Sequence, residues 1–145
     1  MLKLGKIPLI FWMAVSTLSL LSSAQVPPSP GTIHIYRNRL SIRQTLHPLV
    51  SCDLFPVVSI QNGRVYTMKA SAGRHIFRTT DDQPGLQVDI EPGKEYFVRI
   101  DFPPNSPYDV RASPVLVPLE QGRTEIEKLR PLDARYIQAA TCGNP

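Results

Sequence analysis

From Thr32 onward, apolar and polar residues alternate with a period of two, the signature of strands with one buried face. Ile33 and Ile35 alternate with His34 and Tyr36, and Val57, Val58 and Ile60 lead into Gln61-Asn62-Gly63-Arg64. Asn-Gly between two apolar runs predicts a hairpin with a type I′ turn, whose return strand is Val65–Ala70. After a turn at Ser71-Ala72-Gly73, the stretch from Arg74 to Thr80 places His75, Phe77 and Thr79 on one face. Asp81-Asp82-Gln83-Pro84-Gly85 has the residue types of a tight reversal. Leu86, Val88 and Ile90 alternate next, and Glu91-Pro92-Gly93-Lys94 fits a type II turn. The strongest strand follows: Tyr96, Val98, Ile100 and Phe102 on one face, Phe97, Arg99 and Asp101 on the other. Val115–Leu119 is a final strand, confined to a sheet edge by Pro114 and Pro118.

The pattern changes at Glu120. Thr124 and Glu127 have the spacing of a capping box, with Ile126 and Leu129 one helical turn apart. Asp133 is placed to cap a second short turn over Leu132–Ile137, and the tail from Thr141 is expected to fray. Short strands with turn signals about every ten residues predict an antiparallel sandwich or barrel. The expectation is a mainly β chain: an Ig-like or prealbumin-like sandwich of seven or eight strands over residues 32–119. A C-terminal helical segment, 120–140, packs on it.

The beginning of the chain follows a different pattern. Lys3 and Lys6 precede an apolar run from Ile7 to Leu21, and Ser22-Ser23-Ala24 supplies small residues before a cut. This three-part pattern predicts a secretory signal peptide over 1–24, cleaved between Ala24 and Gln25. The apolar run is shorter than the ~20 residues a spanning helix needs, so no transmembrane span is expected after cleavage. Residues 25–31 contain three prolines and read as a spacer. The chain is then expected in the periplasm or secreted.

Composition refines this picture in two ways. Fifteen prolines and eight glycines exclude a helical bundle. The formal charge of +4 comes from 16 basic and 12 acidic residues; loss of Lys3 and Lys6 leaves 14 bases, 11 of them Arg, scattered along the chain. No basic stripe suggests a nucleic-acid partner.

The segment Asn62-Gly63-Arg64-x-Tyr66, then Ala72-Gly73-Arg74-His75-x-Phe77, then Glu91-Pro92-Gly93-Lys94-Glu95-Tyr96-Phe97-Val98-Arg99 resembles the bacterial family known as domain of unknown function 2846. Gly31–Arg37 resembles that family's opening strand and Gln121–Leu129 its closing segment. The Gly-x-His-x-aromatic piece also resembles sandwich modules of the PEGA type. The resemblance implies a small exported or lipid-anchored β-sandwich of the bacterial envelope. It carries over no catalytic residue. This chain lacks the lipidated cysteine at the cleavage site.

Candidate chemistry is sparse. His34, His47 and His75 show no metal-ligand spacing, and His75 reads as a core-edge histidine bonded to turn backbone. Asp81 and Asp82 read as turn formers rather than calcium ligands. Phe97 and Arg99 read as core or helix-docking positions, covered by a second sheet or the C-terminal helix, rather than as an exposed binding face. No catalytic, cofactor-binding or metal residue is expected. Cys52 and Cys142 form an even pair that an oxidising compartment would permit to join, although Cys52 also fits a packed apolar run. The expected function is a non-enzymatic envelope module that binds a protein or glycan. The alternatives are a small-ligand carrier with an apolar cavity and a small envelope hydrolase.

Overall fold

The computed structural model describes residues 23–143. The charged and apolar parts of the predicted signal peptide, residues 1–22, lie outside the described residues, as do the last two residues of the tail. Residues 23–30 are extended and exposed. Eight strands of four to seven residues follow: β1 (Gly31–Arg37), β2 (Leu49–Cys52), β3 (Phe55–Ser59), β4 (Arg64–Ala70), β5 (Gly73–Arg78), β6 (Leu86–Ile90), β7 (Glu95–Asp101) and β8 (Ser113–Val117). Helix α1 (Leu119–Ile126), the two-residue strand β9 (Arg130–Pro131), a 3-10 turn (Ala134–Tyr136) and β10 (Thr141–Cys142) complete the described chain.

The strands form two open sheets, ordered β10-β4-β1-β7-β8 and β3-β2-β5-β6, with β9 also on β4. One buried cluster joins them: Ile33, Ile35, Val98 and Ile100 from the first sheet meet Val50, Val58, Phe77 and Val88 from the second. The arrangement is consistent with a sandwich. It is not wholly antiparallel as expected, because β1 runs parallel to β7, and β9 and β10 run parallel to β4. β1 sits between β4 and β7 and is buried along nearly its whole length. That burial needs apolar or fully bonded residues on both faces. Ile33 and Ile35 face the shared core, while Tyr36 joins a smaller cluster with Phe97 and Val117. Arg37, fully buried, donates to the carbonyls of Leu46 (2.5 Å) and Arg43 (2.7 Å) and lies over the Phe102 ring. It thereby holds the long loop between β1 and β2 against the sheet.

Several local expectations are corrected. Asn62-Gly63 joins no hairpin. β3 pairs with β2 and β4 with β1, so the turn carries the chain from one sheet to the other. Positive φ occurs only at Gly63 (+69°), not at both residues as a type I′ turn requires. β2 was hidden in the sequence because only four residues pair, with a register shift between Val50 and Ser51. The helix begins at Leu119 rather than Thr124. Thr124 lies inside it, its hydroxyl donating to the Glu120 carbonyl (3.0 Å), so no capping box forms. Pro118 precedes the first helical residue, and Glu120 occupies the first turn, where a carboxylate favours the helix dipole. The spacer ends at Pro30, one residue earlier than predicted. Asp133 caps its 3-10 turn as expected, accepting from the Arg135 backbone N–H (3.2 Å). The tail from Thr141 is paired rather than frayed: β10 lies on β4, and the Ser71 N–H donates to the Cys142 carbonyl.

Candidate functional site

Four bases from three distant stretches of the chain line one cleft of about 290 Å3: Arg39 from the loop after β1, Arg64 at the start of β4, and Lys128 and Arg130 just before and in β9. The Asn62-Gly63 turn is its floor. Asn62 holds the Arg39 loop, accepting from the Leu40 N–H and donating to the Leu40 carbonyl, both at 2.9 Å. Gly63 is required twice over. Its φ is left-handed, and a Cβ there would lie 3.3 Å from Arg39 Cβ. The Arg130 N–H donates to the Gly63 carbonyl (3.2 Å), and Arg64 donates to the Pro131 carbonyl (3.1 Å), fixing β9 beside the turn. The ten ion pairs among the described residues involve none of these four bases. Each therefore keeps charge-assisted donors for an anion, and bringing four like charges together favours one.

A second cluster lies where β2, β5 and β10 meet. The structure joins Cys52 to Cys142, with Cα atoms 5.9 Å apart, closing a loop of 90 residues. Beside this bridge, His75 Nδ1 lies 2.6 Å from Asp53 Oδ2 and 3.4 Å from Cys142 Sγ. Its Nε2 donates to the Ser71 carbonyl (2.7 Å), because a carbonyl can only accept. Asp53 Oδ1 accepts from the Ile76 N–H (2.9 Å). A groove of about 480 Å3 runs alongside, between Pro27–Pro30 and the Ala70–Ala72 turn, and reaches Cys142.

The predicted docking positions carry α1. Phe97 is fully buried under the helix at Gly122. Arg99 grips Asp101 through two parallel hydrogen bonds of 2.9 Å and donates to Glu125 (2.9 Å). Glu125 also accepts from the Tyr36 hydroxyl (2.5 Å) and Gln121 (2.7 Å). Burial pushes the Glu125 carboxyl up, but the donors Tyr36, Gln121 and Arg99 outweigh it and hold the group below the ordinary range. Glu95 is governed by the same balance: burial raises it, and His34 (2.6 Å) and Arg123 together lower it.

Asp81 and Asp82 are exposed in their turn. His34 is buried and stacked on Phe97, and His47 meets the edge of Tyr136. Sequence spacing found neither cluster. The four bases are scattered along the chain, and His75 is 22 residues from Asp53 and 67 from Cys142. The pairing of β9 with β4 brings Arg130 beside Arg64, and the pairing of β2 with β5 and of β10 with β4 assembles the second cluster. No family model matches the chain, and no curated protein or solved structure matches it.

Proposed function

We propose that this chain is a non-enzymatic binding module of the bacterial cell envelope, exported to the periplasm or beyond, and that its basic cleft takes an anionic group of an envelope glycan. One observation carries the reading: Arg39, Arg64, Lys128 and Arg130 converge on one cleft without a carboxylate partner among the described residues. Guanidinium forks match carboxylate and phosphate groups in geometry as well as charge. The signal pattern over 1–24, the exposed Ala24-Gln25 link and a disulfide suited to an oxidising compartment support export. The resemblance to domain of unknown function 2846 agrees with an envelope location. Four strands of four to seven residues in each sheet and a parallel β1–β7 pair within a mixed sheet support an Ig-like or prealbumin-like sandwich. The apolar groove beside Pro27–Pro30 favours, as a second reading, a carrier for a small apolar ligand.

The test is calorimetric titration of the full chain with polygalacturonate oligomers and with a neutral glycan of equal length. Binding to the anionic oligomer alone is expected, weakening as salt rises. Replacing Arg39 and Arg130 together by Ser is expected to weaken it by about tenfold or more, equal to about 1.4 kcal/mol. Equal binding of both glycans, or undiminished binding by the double variant, overturns the proposal. Binding of a fluorescent fatty acid that is lost with a bulky residue at Ala72 would favour the carrier instead.

A further inference from the structure

We propose that reduction of the Cys52–Cys142 bridge turns this corner of the molecule into a metal site. Cys52, Asp53, His75 and Cys142 would hold one divalent cation of the zinc class. The inference does not rest on the glycan reading, since the two clusters share no residue.

The donor set is the first reason. Two thiolates, an imidazole and a carboxylate are the ligands that borderline-soft, tetrahedral cations take. Their four donor atoms lie within 4.8 Å of one another. Tetrahedral donors on bonds of about 2.0–2.3 Å are about 3.3–3.8 Å apart. His75 Nδ1 and Cys142 Sγ are already at such a distance, 3.4 Å, and Cys142 Sγ and Asp53 Oδ2 are 4.0 Å apart. His75 and Asp53, now in direct contact at 2.6 Å, would part by less than the width of an atom to admit the ion.

The second reason is that the supports of a metal site are already in place. A ligating histidine ordinarily donates its other ring N–H to a carbonyl or carboxylate, which fixes both tautomer and ring orientation. His75 does this with the Ser71 carbonyl at 2.7 Å, which leaves Nδ1 as the nitrogen facing the sulfurs. Asp53 is held in the same manner: Oδ1 accepts from the Ile76 N–H, and Oδ2 is the oxygen turned to the cluster. Asp53 and Leu54, with φ of 50° and 72°, form the two-residue turn that joins β2 to β3, and this turn sets the Asp53 carboxylate beside His75 and Ile76 of β5. A structural disulfide needs neither support. The Asp53 side chain is also 36% exposed, which gives an ion a way in, while His75 and both cysteines are buried.

The chemistry balances with a dithiol as reductant. The dithiol transfers two electrons and two protons to the bridge, yielding two thiols and its own cyclic disulfide. The cation then displaces three protons, one from each thiol and the one that His75 Nδ1 shares with Asp53 Oδ2, all released to solvent, and takes both sulfurs, Nδ1 and the carboxylate oxygen as ligands. Exchange with a disulfide oxidant, which takes the two electrons and two protons and leaves as a dithiol, re-forms the sulfur–sulfur bond, removes two ligands and expels the ion. The bridge and the metal are thus mutually exclusive locks on the same two elements, β2 and β10.

The test is titration of the full chain with cobalt(II), under a phosphine reductant and without one. The reduced chain is expected to bind one ion with thiolate-to-cobalt charge-transfer absorption, and zinc to bleach it. The oxidised chain is expected to show none. His75→Gln and Asp53→Asn, each matching wild type by circular dichroism in the oxidised state, should weaken cobalt binding at least tenfold. Should the reduced chain unfold without metal, refolding on addition of zinc supports the site, and failure to refold overturns it. A folded reduced chain without charge-transfer absorption, or a His75→Gln chain that binds as tightly as wild type, also overturns it.

Discussion

Glu125 shows how one residue couples the helix to the sheet. Its carboxylate accepts from Tyr36 on β1, Arg99 on β7 and Gln121 one helical turn earlier. All three donors favour the charged form, and they prevail over the burial that opposes it. The sign of the pH effect follows. A carboxyl held below its ordinary value in the folded state contributes stability that is complete above the unfolded pKa, about 4.3. That contribution declines as pH falls through the folded value, because the unfolded chain binds its proton first. Glu95, lowered by His34 and Arg123, acts in the same direction. Glu125→Gln is expected to cost about 1–3 kcal/mol at neutral pH, since Arg99 and Tyr36 lose a charged partner in a partly buried setting. The variant should also lose less stability than wild type between about pH 5 and 3. Urea midpoints measured across that range check both statements.

At the scale of elements, α1 illustrates what local signals can and cannot place. Tyr96, Val98, Ile100 and Phe102 alternate so regularly that β7 and its core face are legible in the sequence. The helix start is not. Thr124 and Glu127 have capping-box spacing, yet the helix runs from Leu119, because the decisive residue is Gly122, whose role depends on Phe97 some 25 positions away. A Cβ at position 122 would lie 2.2 Å from Phe97 Cγ, so the helix can approach β7 only where it has no side chain. Phe97 cannot retreat, being fully buried and stacked on His34. Ala in a helix interior is favoured over Gly by about 1 kcal/mol, but overpacking costs about 1–3 kcal/mol and leaves the helix displaced. Gly122→Ala is therefore expected to lower the melting temperature by several degrees, and adding Phe97→Leu to recover part of the loss. Calorimetric melting of the two variants decides it. The two clusters escaped sequence reading for the same reason as Gly122. Spacing along the chain reveals only ligands held on one element, and here each cluster draws on three distant stretches of the chain: residues 39, 64 and 128–130 in one, 52–53, 75 and 142 in the other.

Across the whole molecule, the C-terminal segment is what joins the two sheets. β9 and β10 lie in succession along the outer edge of β4 and shield its backbone groups. Between them the chain crosses to the second sheet, where Gln138 and Ala139 donate to the Val57 carbonyl and Ile137 bridges to Val58. Tyr66 on β4 donates to the Ala139 carbonyl (2.8 Å). The Cys52–Cys142 bond then ties the end of this path to β2. Closing a loop of 90 residues restricts the unfolded chain by about 4–5 kcal/mol in the entropic account. Metal-free reduction in the presence of a chelator should accordingly lower the melting temperature by ten degrees or more. Truncation after Val117, which removes α1 as well, should leave insoluble protein. Scanning calorimetry and soluble yield test the two.

The same bond also sets how the molecule would respond to load. Pulled from its two ends, the chain bears load along its backbone. With the bridge closed, the chain between the cysteines, a sequence separation of 90, cannot pay out, however completely it unfolds. At about 3.3–3.6 Å per extended residue, that withholds about 300 Å of length. Only the segments outside the bridge can lengthen, so the oxidised protein is a short shackle and the reduced, metal-free one a long tether. The redox state of one buried bond thereby fixes how far the chain can extend.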